Sequence, residues 1–74
     1  MFNTPHILEL VGNRIRDIRK SKSLSQEQLG EMSGFHYTYI GGLERGERNI
    51  SVVNLFKIAD ALDTDISEFF NFES

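Results

Sequence analysis

Apolar residues recur along most of this chain at spacings of three and four, the period of helices buried on one face. Leu8, Val11, Ile15 and Ile18 form the first stripe, and Thr4 before Pro5 fits an N-cap and first helical residue, which predicts a helix over Pro5–Lys20. In SKSLSQEQLGEMSGF, Ser25 with Gln28 three residues on has the spacing of a capping box. Leu29 and Met32 then face inward, and Gly34 ends a short second helix over Gln26–Ser33. Ser51 caps a further helix with Val52, Leu55, Ala59 and Leu62 along one face. Asp65 with Glu68 opens a last short helix through Phe70.

The stretch between these elements, HYTYIGGLERGER, is ambiguous because Gly41 and Gly42 stand together in its middle. Each glycine costs a helix interior about 1 kcal/mol relative to Ala. A β-hairpin is the rival reading, since Tyr37 to Ile40 has strand propensity and Gly-Gly is a favoured turn. Its second strand would be LERGER, which has neither alternation nor a β-branched residue, and a lone hairpin is marginal. The pattern of Phe35, Ile40 and Leu43 therefore predicts a third helix over Tyr37–Arg45, stopped by Gly46. Two short helices joined across Gly34 make a helix-turn-helix. Gly41 and Gly42 fall on its outward side with Tyr37, Thr38 and Arg45, where missing Cβ groups would let the backbone approach DNA closely in the major groove. The bland alternative is a pair of surface glycines with no partner.

The sum is an all-α chain of five helices. Its 74 residues make a single domain, 1–74, near the lower limit for one apolar core, so self-association is a natural supplement. The absence of cysteine excludes disulfides, thiol chemistry and Cys-based metal sites. No basic leader with a long apolar run and no stretch of roughly 18 apolar residues occurs, which points to a soluble cytoplasmic protein without a membrane partner. The net charge of −3 argues against nucleic acid until its distribution is considered. Residues 14–48 hold seven of the eight Lys and Arg and a local balance of +2, whereas residues 49–74 balance at −4. One end can face phosphate while the other turns away. His6 and His36 are too few for a metal site or a catalytic base, and no catalytic grouping or cofactor site is identifiable, so an enzyme is not expected.

LSQEQLGEMSGFHYTYIGGLERGERNIS followed by LFKIADALDTDISEFF resembles the lambda-repressor-like, Cro/C1-type helix-turn-helix regulators, and among them the controller proteins of restriction-modification systems. The resemblance covers about residues 7 to 70. It implies a transcription regulator that binds double-stranded DNA, controls its own promoter and that of an endonuclease gene, and, if it activates, meets RNA polymerase. It further implies that Tyr37, Thr38 and Gly42 face bases, that His36 caps the recognition helix, and that Arg45, Arg48 and Asn49 touch phosphates. Gln26 would bind a phosphate or brace the recognition helix, and Lys22 in the basic run RDIRKSK would sit near phosphates. Arg19 would pair with Glu44 as a structural salt bridge, so neither is assigned to bases.

The chain departs from that pattern in three places. Gly30 stands where Ala is usual, Phe35 replaces a smaller aliphatic, and Tyr37 stands where controllers often carry an arginine suited to guanine. Direct readout is then sparse, and part of the preference rests on DNA shape.

On a wheel of the fourth helix, Val53 lies nearly opposite the inward face and Phe56 well to the side. With the C-terminal group Ile66, Phe69, Phe70 and Phe72, they supply more apolar surface than so small a core can take. The surplus, assigned to Val53, Phe56, Phe69 and Phe70, predicts a homodimer about a two-fold axis, acting on a pseudo-palindromic operator with recognition helices roughly 34 Å apart. The rival from another class is a protein-interaction module of antitoxin or antirepressor-bound type, which the acidic C-terminal part favours.

Overall fold

The computed structural model describes the backbone of residues 4–72 and the side chains of residues 6–72. Its elements are α1 (Thr4–Ser21), α2 (Gln26–Ser33), α3 (Tyr37–Glu44), α4 (Val52–Ala61) and a terminal 3-10 helix (Ile66–Phe70). The fold is therefore all-helical, but the fifth expected helix is a single tight 3-10 turn. Asp65 caps it by accepting from the Ser67 N–H at 2.9 Å, and the i→i+3 pitch directs Phe69 into the core. α1 already includes Thr4, and the cap role expected of that side chain lies outside the described residues. α3 ends at Glu44, one residue early, with Arg45 as its C-cap and Gly46 at φ 75° in the left-handed region.

Local chemistry explains the boundaries of α2 to α4. Ser25 Oγ accepts from the Gln28 N–H at 3.0 Å while Gln28 Oε1 accepts from the Ser25 N–H at 2.8 Å, a closed capping box. Gly34 at φ 84° ends α2, and its N–H bonds the Gly30 carbonyl. Ser51 Oγ accepts from the Asn54 N–H at 3.1 Å to start α4.

The core is Val11, Ile15, Leu29, Ile40, Leu43, Leu55, Ile58, Ala59, Leu62 and Phe69. α1 packs on α3 and the terminal 3-10 helix, and α2 packs on α3 and α4. Three expected placements are corrected. Met32 is 54% exposed, because the buried face of α2 is centred between Leu29 and Gly30, where α3 approaches, and Met32 lies off its far flank. Val52 is 74% exposed at the opening of α4, to the side of the Leu55, Ile58, Ala59 and Leu62 stripe, in which Ile58 was not anticipated. Phe69 is fully buried, so its ring fills the core and has none left for a dimer face.

Close helix packing depends on Gly12, which the apolar stripe passed over. A Cβ there would lie 2.2 Å from the Leu43 carbonyl oxygen, so α1 and α3 touch backbone to backbone at this point. Gly12 sits beside Val11 and Ile15, and a glycine within the inward stripe of a helix was the available signal.

Candidate nucleic-acid interface

α3 is held from behind by a buried polar cluster. Glu44, 2% exposed, accepts from Arg19 Nε at 2.6 Å and Nη2 at 2.9 Å, a bidentate pair linking α3 to α1. Arg19 also donates to the Leu24 carbonyl at 2.8 Å, at the entry to α2. Hydrogen bonding to Glu44 raises the Arg19 pKa above the ordinary guanidinium value, against the opposing effect of burial. Gln26 Nε2 donates to Glu44 Oε1 at 3.0 Å, so its amide braces α3. Arg16 completes the set by donating to the Glu44 carbonyl oxygen at 3.2 Å, with Nε 3.9 Å from the carboxylate. The sequence reading missed Arg16, although it lies one helical turn before Arg19 and Lys20 on α1.

The opposite face of α3 starts at His36, whose Nδ1 accepts from the Thr38 N–H at 3.2 Å and contacts Thr38 Oγ1 at 2.8 Å. The His36 ring stacks on Tyr37 with centroids 4.7 Å apart. His36, Tyr37 and Thr38 are all exposed. At the other end of α3, Arg45, Arg48 and Asn49 are exposed, and Lys22 is exposed on the turn after α1. Arg45 pairs with Glu47 at 3.0 Å, which raises the arginine pKa and lowers that of the glutamate.

Gly41 and Gly42 require a correction. Both are buried, not open to an approaching surface. A Cβ on Gly41 would come within 3.1 Å of Arg45 Nη1 and 3.4 Å of Gln26 Oε1, and one on Gly42 within 3.0 Å of Arg48 Cγ. The bare backbone is a seat for long side chains folded back along the helix, an arrangement arginine favours because its apolar stem covers surface while its head stays in water. Arg48 also lies 5.8 Å from the Tyr39 ring centroid, and the Tyr39 hydroxyl accepts from Asn54 Nδ2 at 3.3 Å. Tyr39 thereby links the Arg48 segment to α4.

A separate apolar strip runs along α4. Val52, Val53 and Phe56, with Lys57 and Asp60, line an open recess of about 490 Å³. Val52 also lines a neighbouring recess with Ile7, Leu8, Ile50 and Phe70. Val53, Phe56 and Phe70 are 64%, 61% and 49% exposed.

The helix-turn-helix family matches residues 15–69. The control protein C.SmaI of Serratia marcescens is 47% identical over 60 residues, covering 81% of this chain and 71% of the relative. Its counterpart C.BamHI of Bacillus amyloliquefaciens is 43% identical over 70 residues, covering 93% and 86%. Among solved structures, the restriction-modification controller protein C.AhdI from Aeromonas hydrophila superposes with a TM-score of 0.84 at 49% identity, covering 85% of this chain and 96% of that one. No helix among the described residues is long and apolar enough to cross a membrane. With an outward α3 face of exposed polar and cationic groups, and relatives that are regulators and not enzymes, the chain belongs to the helix-turn-helix family of DNA-binding transcription regulators and is of the restriction-modification controller type.

Proposed function

We propose that residues 1–74 act in the cytoplasm as one DNA-binding and dimerisation domain, a homodimer on a pseudo-palindromic operator that controls its own gene and a neighbouring endonuclease gene. Tyr37, Thr38 and Gly42 face bases, the last once Arg48 lifts from its seat. Arg45, Arg48, Asn49 and Lys22 contact phosphates, while Gln26 divides its amide between Glu44 and a backbone contact. The supporting observation is the division of the surface: the polar and cationic end of α3 is distinct from the apolar strip of Val52, Val53, Phe56 and Phe70. Strips of that kind mark association sites.

A two-fold axis through the strip would bring Phe56 against its symmetry mate and set Lys57 of one protomer near the partner's Asp60, the self-complementarity an isologous contact requires. Burying the two valines and two phenylalanines would contribute several kcal/mol at roughly 25 cal/mol per Å² before association costs. Pairing also doubles the contacted bases, since one module of this size buries too little surface for useful selectivity. The endonuclease target rests on the restriction-modification name of the solved relative.

A gel-shift titration on the DNA upstream of its own gene, at two salt concentrations, tests the reading. The wild-type protein should bind with an affinity that falls steeply with salt. Phe56→Asp should sediment as a folded monomer and bind the operator poorly. A variant still dimeric at micromolar concentration would place the interface elsewhere, and absence of duplex binding at low salt would favour a protein-interaction role.

A further inference from the structure

We infer that His36 fixes the hydrogen-bond polarity of Thr38, making its hydroxyl an acceptor that selects an amino-bearing base, adenine or cytosine, over a keto-bearing one. The inference rests on the DNA-binding reading above and assigns His36 as a positioning residue within that site.

The argument starts from a backbone donor. The Thr38 N–H can only donate, and it points at His36 Nδ1 at 3.2 Å, so Nδ1 carries a lone pair and the ring proton sits on Nε2. Thr38 Oγ1 lies 2.8 Å from the same nitrogen. With Nδ1 an acceptor, the hydroxyl supplies the hydrogen of the shorter contact and shares the single ring lone pair with the longer backbone N–H contact. A threonine hydroxyl has one hydrogen and two lone pairs, and here the hydrogen is committed to His36. What Thr38 turns outward from an exposed position on α3 is therefore acceptor capacity alone.

In the major groove this distinction has a direct reading. Adenine N6 and cytosine N4 donate, whereas guanine O6 and thymine O4 accept. A threonine with a free rotor serves either class. One with its hydrogen committed serves only the donors. The stack of the His36 ring on Tyr37 at 4.7 Å holds the imidazole in place and couples the two outward residues through a single side chain. The cap position thus does more than end the orphan N–H groups of α3.

Base selection from a pool of randomised duplexes, by full-length wild-type protein and three variants, tests this. The wild type should favour A or C over G or T at one position on one strand of each half-site, by roughly fivefold, below the tenfold or more available to a bidentate pair. His36→Ala frees the hydroxyl, so the amino preference should fall toward unity while salt-dependent binding to unselected duplex persists. His36→Asn replaces the ring nitrogen with a carbonyl acceptor of similar reach and should restore the preference, which separates polarity from loss of a cap. Thr38→Val should abolish it. Retention of the amino preference in His36→Ala, or its survival in Thr38→Val, would overturn the assignment. Wild-type protein that binds no duplex at all would instead bring down the DNA-binding reading, and this inference with it.

Discussion

Arg19 and Glu44 meet at 2.6 and 2.9 Å in the interior, while Arg45 and Glu47, just beyond the same helix end, meet at 3.0 Å with both side chains 58% exposed. The chemistry is identical and the surroundings are opposite. In the interior the carboxylate is shared among Arg19, Gln26 and Arg16, and no described buried side-chain polar atom lacks a partner. Neither member can leave without stranding a charge away from water. At the surface, water and salt compete for both partners, so the pair is worth little to the fold and can exchange glutamate for phosphate at small cost. One pair is a strut between α3 and α1, and the other is an exposed pair whose arginine the proposed function assigns to a phosphate.

The largest test of that contrast is Glu44→Ala. It leaves the Arg19 guanidinium buried without its carboxylate, and should lower unfolding free energy by about 3 kcal/mol in urea titration. Glu47→Ala should leave the urea midpoint close to that of wild type. Equal losses for the two would end the distinction between strut and exposed pair. Next in size is Gly12→Ala, on the same α1–α3 contact. The Cβ would press within 2.2 Å of a backbone oxygen that cannot rotate aside, so a cost of about 2 kcal/mol is expected despite the better helix propensity of Ala. A stabilised Gly12→Ala variant would show that α1 can slide on α3.

This division explains how far the sequence could be followed. Caps and stops were legible because they are local: Ser25 with Gln28, Ser51, Asp65 and Gly34 act within a few residues of themselves, whereas the His36 cap came from the resemblance. The arginine-glutamate strut came from family resemblance, since nothing local brings Arg19 to a residue 25 positions away. Misplaced residues were those whose environment depends on which flank a neighbour covers. Met32 and Val52 have helical spacing with core residues yet lie to one side of the buried stripe, and Phe69 could be separated from Phe70 only once the 3-10 turn fixed which ring points inward. The paired glycines were expected to lie open on the outward side of α3, but they are covered by the long side chains of Gln26, Arg45 and Arg48, whose rest positions no periodicity records.

Of intermediate size is Arg48→Ala, on the exposed side of the comparison. Arg48 lies over Gly42 and against Tyr39, contacts that cost little to lose in water, so stability should move by less than about 0.5 kcal/mol. Binding should respond instead. Loss of one phosphate contact should weaken specific and nonspecific complexes together and flatten the salt slope by about one unit, as measured by titration across a salt series. An unchanged slope would remove Arg48 from the contact set.

The smallest expected effect belongs to Glu47→Gln, and it isolates the exposed pair itself. The variant removes the charge that holds Arg45 and also a negative charge beside the proposed phosphate contacts, so affinity at low salt should rise roughly twofold to threefold, within the range of an exposed pair. Screening should erase the gain at high salt, where the two proteins converge. Acid should imitate the substitution, and the direction follows from the pairing. Arg45 lowers the Glu47 pKa, so whatever the pair adds to the fold is present above the unfolded carboxylate value and is lost as pH falls through the lower folded value. At neutral pH the tether is therefore fully formed, and Glu47→Gln should differ from wild type there and merge with it only below the usual carboxylate range. A variant that binds no more tightly than wild type at low salt would mean that Arg45 reaches its phosphate without leaving Glu47, and the exposed pair would then belong with the strut as part of the fixed frame.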